Sequence, residues 1–305
     1  MTSWDVALGE AAAVTTSLSW ALAALVAQSS LARTTDAVVN FSKVAVALIG
    51  MLIPAWLWRG HGLPFDVPGI NWFWLGLSGV IGFTCCDALM LAAFRRCGAR
   101  TSLVMMTGAP VLAALGGMVL MGETLGVWAL AGMLVTLFGI VLAVIGKKRL
   151  PTAACPTRDR HWGLLAAVGA TIFQAAGFLL TKQGLQGCDS IAGTQIRLLF
   201  AGGGFAVLLM VPRSGGGGTA LRQAWSNVKT AKLLLAYGIL GPWLGMGLSL
   251  YAFSQAPVGI VSTIISTPPA VMVPLAMILY HEKVGLGEIL GTVLAIPGVA
   301  LLFLN

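Results

Sequence analysis

The amino-acid sequence predicts an all-α integral membrane protein with ten transmembrane helices, arranged as two inverted repeats of five. Three observations carry this. Hydrophobic residues make up 58% of the 305 residues and charged residues only 9%, against about 25% charged in an ordinary soluble domain. The apolar residues gather into ten runs, each near the roughly 20 residues that cross a bilayer. The second half of the chain then restates the first.

The runs are 9–28, 38–58, 71–93, 101–121, 126–146, 162–181, 191–211, 233–253, 258–280 and 286–304. The longest connections are 147–161, rich in Lys, Arg and Pro, and 212–232, which holds the Gly215 to Gly218 run; neither has room for a soluble domain. The first run reads as a retained span. Asp5 and Glu10 lie at its start, and no Lys or Arg occurs before Arg33, so the basic n-region of a signal peptide is missing. The 39 glycines suit helices that pack closely in lipid.

The repeat appears at an offset of 159, which pairs Gly79/Gly238, Gly82/Gly241, Pro110/Pro269, Glu123/Glu282, Gly132/Gly291 and Gly139/Gly298. Nearer the start of each half the offset is 154 and pairs Ala21/Ala175, Lys43/Arg197 and Gly50/Gly204. The change falls at the Gly-rich connection. Residues 1–149 and 150–305 are the two units. Five helices is an odd number, so the second unit enters the membrane in the opposite sense. Many secondary transporters are built this way, with substrate held at the repeat interface near the midplane. Channels and scaffolds are the other duplicated membrane proteins to weigh.

The repeated residues also carry a family resemblance. Pro110, then Met121-Gly122-Glu123-Thr124-Leu125, then Gly132 and Gly139 are answered by Pro269, Tyr280-His281-Glu282-Lys283-Val284, Gly291 and Gly298. This resembles the EamA-type branch of the drug/metabolite transporter superfamily, and nearly the whole chain is covered. The resemblance implies two five-helix EamA repeats and export of amino acids and other metabolites. The chain departs from the family at the Trp-Gly pair of the first helix. Trp20 is followed by Ala21, and the second half has Gln174 and Ala175 there.

Orientation follows from the basic residues. The connections 1–2, 3–4, 5–6, 7–8 and 9–10 hold 14 of the 18 Lys and Arg residues. The positive-inside rule makes that side cytoplasmic and places both termini outside. Related ten-helix transporters are often described with both termini inside, so the two indications differ. Trp56, Trp58, Trp72, Trp74 and Trp162 fall at span ends and read as an aromatic belt.

Charges inside the spans are the strongest pointers to a site, because each costs several kcal/mol or demands a partner. Asp87 lies in the third run, and its repeat partner is Met246. It reads as a substrate or proton carboxylate facing a central cavity near Trp20, Thr107 and Trp243, or as a packing acid paired to a base such as Lys43. Lys43 and Arg197 stand at equivalent positions near helix starts. They snorkel to the headgroups or line a site for a carboxylate-bearing substrate. Trp20, Gln174, Trp243 and Met246 are candidate cavity walls, and Thr107 and Ser266 offer hydroxyls beside helix breaks. Pro110, Pro268 and Pro269 mark those breaks, since an internal proline removes a backbone bond. Glu123 and Glu282 read as caps at the turns into the helices that follow them.

Other chemistries find little support. Cys85, Cys86, Cys97, Cys155 and Cys188 form no CxxC pair and no metal spacing. No GxxxxGK[ST] phosphate loop is present. His61, His161 and His281 all sit in connections, and the net charge of +8 belongs to membrane orientation rather than nucleic acid. No cofactor or metal is expected. The expected partners are a small-molecule substrate and the lipid bilayer, with a monomer and a homodimer both open. The reading is a multi-pass secondary transporter of the cytoplasmic (inner) membrane that exports amino acids or related metabolites. Export of cationic drugs or amines, with Asp87 as counter-charge, and carriage of nucleosides or sugars are the alternatives within transport. An intramembrane enzyme would need clustered polar groups that the runs do not offer.

Overall fold

A computed structural model of the chain describes residues 3–31, 33–97, 102, 105–146, 157–210, 217–268, 270–271 and 285–302. Among the described residues every regular element is a helix. Helix α1 is Ser3–Leu31, and α2 (Asp36–Gly50) continues as α3 (Leu52–Arg59). Helices α4 (Gly69–Gly79) and α5 (Cys86–Cys97) are joined by a π-helical turn, Val80–Cys85. Then come α6 (Gly108–Met121), α7 (Val127–Gly146), α8 (Thr157–Gly184), α9 (Ser190–Met210) and the short α10 (Gly217–Ser226). Helices α11 (Val228–Gly238) and α12 (Gly247–Gln255) are joined by a second π-helical stretch, Ile239–Met246, and α13 (Val258–Ile265) and α14 (Leu286–Leu302) complete the chain.

Among the described residues, seven stretches are long and apolar enough to cross a membrane, from Trp4–Ala27 to Val228–Gln255, while Gly108–Met121 and Leu286–Leu302 are shorter. The ninth expected run is described only over its first part, and Pro269 lies outside the described residues. The connection 212–232 differs from expectation, because it contains α10. Ala224 of that helix packs with Val38, Val39 and Leu234, and Trp225 Nε1 donates to Ser42 Oγ at 3.1 Å.

The distribution of side chains is the reverse of a soluble protein. Trp58, Val119, Val127 and Phe138 are exposed, whereas Lys43, Arg197, Gln195, Asn71 and Ser262 are buried. In water such apolar exposure would drive association. In hydrocarbon it is ordinary solvation, and polar groups collect inside where they find one another.

Glycines set how the helices meet. A Cβ on Gly139 would stand 2.6 Å from Ala295 N and 2.7 Å from Gly291 O, and one on Gly132 would stand 2.8 Å from Gly298 O. Helices α7 and α14 therefore touch backbone to backbone. Other close contacts recur when the halves are exchanged. Gly79 lies on the Arg197 carbonyl, and a Cβ on its counterpart Gly238 would stand 3.0 Å from the Lys43 carbonyl. Gly204 lies on Thr84, and Gly50 lies on Trp243, which is the counterpart of Thr84. Gly82 faces Gly177, as Gly241 faces Ala23. The two π-helical stretches and the helix breaks at Thr107 and Ser266 also fall at equivalent positions. The repeat seen in sequence is thus a repeat of contacts.

At one end of the bundle a polar clasp ties the halves together. Arg59 Nη2 donates to both oxygens of Asp66 at 2.6 and 2.7 Å, and its Nε lies 2.9 Å from Asp189 Oδ2. The hydrogen bond from Arg59 holds the Asp66 carboxyl below the usual carboxylate range. Asn71 Nδ2 reaches the carbonyls of Gly184 and Gln186 at 2.9 and 2.8 Å.

The seam makes a stability prediction. Gly139→Leu forces the α7 and α14 backbones apart and should cost about 2 kcal/mol or more, read as a lower thermal midpoint in detergent. Gly203→Ala, where an added Cβ meets nothing within 4 Å, should leave the midpoint unchanged or raise it. Equal tolerance at the two positions would refute the seam.

Candidate functional site

The site starts from one cation. Lys43, on α2, is 3% exposed, and its ammonium lies 2.9 Å from Asp87 Oδ2 at the start of α5. The same nitrogen sits 4.8 Å from the Phe83 ring centre, 5.3 Å from Tyr237 and 5.6 Å from Phe205. The Tyr237 hydroxyl approaches it at 3.5 Å. Three ring faces and one carboxylate replace the water that this ammonium has given up. Lys43, Phe83 and Asp87 come from the first half, and Phe205 and Tyr237 from the second. Lys43 does not snorkel: its partner is in the interior, not at the headgroups.

Arg197, the repeat counterpart of Lys43, is likewise buried, at 5% exposure on α9. Among the described residues it has no carboxylate at ion-pair distance, and its Nε has no hydrogen-bond partner. A Cβ on Gly82 would stand 3.4 Å from the Arg197 Nη2. Among the described residues this row holds two cations, Lys43 and Arg197, and one acid, Asp87, a local excess of positive charge; the more deeply buried acids, Glu10 on α1 and Glu288 at the start of α14, stand on other helices.

The remaining expected residues divide. Gln174 joins the row, because its Oε1 accepts from Cys86 Sγ at 3.0 Å. Trp20 packs edge-on against Phe83 at 6.4 Å and lies over Gly245, where a Cβ would stand 2.8 Å from its Nε1. Gly245 is the counterpart of Cys86, so the second half makes room for an indole where the first half has a thiol. Trp243 goes elsewhere. It lies on Gly50 and lines an open apolar groove of 340 Å³ with Met51, Pro54, Trp58, Leu248 and Tyr251. Met246 is buried, and its carbonyl accepts from Ser249. The Ser266 hydroxyl is held by the Ser262 carbonyl at 2.7 Å.

Thr107 and Ser266 sit at the breaks themselves. Pro110 is the third residue of α6, where no intrahelical N–H bond is lost. It marks the break one turn earlier rather than interrupting the helix. Pro268 stands two residues after Ser266, one residue nearer its break than Pro110 is to Thr107; the matching proline, Pro269, lies outside the described residues. Glu123 caps a different helix from the one expected. Its Oε2 accepts from Val258 N at 2.8 Å, at the start of α13, and Lys182 stands 3.7 Å from its other oxygen. A carboxylate there satisfies an orphan N–H and complements the helix dipole, and it joins the first half to the second. Glu282 lies outside the described residues. No cluster of three His, Cys, Asp or Glu side chains suited to a metal occurs among the described residues.

Tyr237, Phe83 and Phe205 were not legible as site residues. Aromatics in an apolar run look alike until a cation is placed among them. Tyr237 does directly precede Gly238, a repeat position, and that was the available hint. The π-helical turn before Asp87 leaves no sequence signature, although such turns gather at functional sites.

Residues 7–145 and 161–304 each match the profile of the EamA-like transporter family. No curated protein matches the chain by sequence. A solved structure titled only as the crystal structure of a protein superposes with a TM-score of 0.79, covering 99% of this chain and 96% of the other at 17% identity, which is a likeness of fold.

The pair makes its own prediction. Asp87→Asn leaves Lys43 buried without a counter-charge and should cost about 3–5 kcal/mol of stability. The double variant Lys43→Met with Asp87→Leu should recover most of that loss in a thermal unfolding assay. Recovery with transport still absent assigns the pair to function, whereas recovery of both would make it a packing ion pair.

Proposed function

The chain belongs to the EamA-like transporter family, and from that premise we propose that it is a secondary carrier exporting amino acids or related small metabolites across the cytoplasmic membrane by alternating access. Its architecture in this reading is ten membrane helices in two inverted five-helix units, 1–149 and 150–305. The observation that carries the reading is the buried row of Lys43, Asp87 and Arg197 at the junction of the two repeats. Charges in a membrane interior are retained where they meet substrate or coupling ions, and transporter sites lie where inverted repeats meet.

The same row weighs against the cationic-drug alternative. Asp87 is already matched by Lys43 at 2.9 Å, and the excess charge beside it is positive. A cationic ligand would meet repulsion there, whereas a carboxylate or a zwitterion would not.

The repeated contacts support alternating access. An exchange of conformations between two matched halves would open the row to the opposite side. The breaks at Thr107 and Ser266 and the two π-helical stretches are the points where a helix changes course at least cost. Orientation is taken from the basic residues, with Arg59, His61 and Asp66 outside.

Counterflow tests the carrier. Purified protein in liposomes preloaded with an unlabelled amino acid should take up the labelled one in a transient overshoot. Passive equilibration without an overshoot, across the whole amino-acid set, would point to a channel. Orientation is checked in intact cells on a background lacking native cysteines. An impermeant maleimide should label His61→Cys and spare Ser226→Cys, and the reverse pattern would invert the assignment.

A further inference from the structure

We propose that Arg197 is the carboxylate subsite of the transported molecule, an inference that rests on the transport reading above. The two halves of the protein are matched position by position, and the match exposes a vacancy in charge. Lys43 and Arg197 are counterparts, each buried and each lying against a glycine, Gly238 and Gly79 respectively. In the first half the cation is answered by Asp87. In the second half the counterpart of Asp87 is Met246, which is apolar and 3% exposed.

The place where an acid would stand is therefore known. Gly193 on α9 lies against Leu250 on α12, with a built Cβ 3.3 Å from the leucine side chain. Arg197 is one turn on from Gly193 and Met246 one turn before Leu250, and successive spans run in opposite directions, so both lie toward the same level. The Met246 thioether cannot answer a guanidinium, and Arg197 Nε is without a hydrogen-bond partner among the described residues. A guanidinium presents a planar fork of donors, and a carboxylate meets that fork with two parallel bonds. In a space this dry an unanswered cation is costly, and a ligand carboxylate removes the cost. The matched Lys43–Asp87 pair beside it supplies no spare charge of its own.

The ligand class follows: a small molecule bearing a free carboxylate, with its remaining part in the apolar interior. Asp87 is already held by Lys43 at 2.9 Å, so the carboxylate is the group that the site selects. Deaminated acids then test whether the carboxylate alone suffices.

The experiment is counterflow in liposomes with four sets of probes: leucine and phenylalanine, their amides, the corresponding decarboxylated amines, and the corresponding deaminated acids. Wild-type protein should exchange the amino acids at least ten-fold faster than the amides and amines. Arg197→Gln should abolish that preference and Arg197→Lys should keep part of it. Met246→Asp keeps Arg197 but supplies an internal acid at the matching position. It should raise the thermal midpoint and lower carboxylate exchange ten-fold or more, so the proposal stays testable if Arg197→Gln does not fold. Met246→Asp exchanging like wild type would overturn the subsite. If amides or amines exchange as fast as the amino acids, the carrier reading stands and the Arg197 subsite falls. If no probe exchanges, both fall.

Discussion

Helices dissolved in lipid gain little by hiding apolar side chains from one another, since the hydrocarbon around them is equally apolar. What holds this bundle is contact between backbones, and glycine is what permits it. At Gly82 and Gly177, at Gly79 and the Arg197 carbonyl, and along α7 and α14, no side chain intervenes between chains. Dispersion and weak polar attraction at such range supply the cohesion that water supplies elsewhere. The contacts also fix register. A helix seated by glycines on a carbonyl cannot slide by one residue without a clash, so the charged side chains beyond it are placed with little freedom.

That rigidity explains how a charge row survives. Lys43 and Arg197 stand at these contacts through their own carbonyls, and both side chains are buried. The scaffold is near-symmetric in backbone and asymmetric in chemistry: Asp87 against Met246, Cys86 against Gly245, Trp20 against Gln174. In the proposed cycle a symmetric backbone would supply two conformations of similar energy, and asymmetric side chains would leave one binding site rather than two.

Much of this is legible in the sequence. Hydropathy marked the runs, because lipid demands about 20 apolar residues in a row. The offset of 159 pointed to the matched contacts, because glycine at a backbone crossing has no substitute. Lys43 and Asp87 stood out because charge in a span is expensive. Their pairing did not, since a distance across helices is not a spacing in sequence. The aromatic box around Lys43 was hidden for the same reason. Helix α10 was hidden because a Gly-rich start reads as a loop, and Glu123 was assigned to the next helix along the chain when its partner, Val258, lies in the other repeat.

The α7–α14 seam has one more property. Exchange of the halves converts Gly132 against Gly298 into Gly291 against Gly139, so the pair of helices is carried onto itself. Helices α2 and α9 are carried onto each other in the same way, with Val44 against Gly202, whereas Gly79 on Arg197 has its twin, Gly238 on Lys43, at a separate place. In the proposed alternating-access cycle, twinned contacts would trade geometries and a self-paired seam would keep its own. Spectroscopic labels on α7 and α14 would report a constant separation, against which the shift of the twinned contacts can be measured.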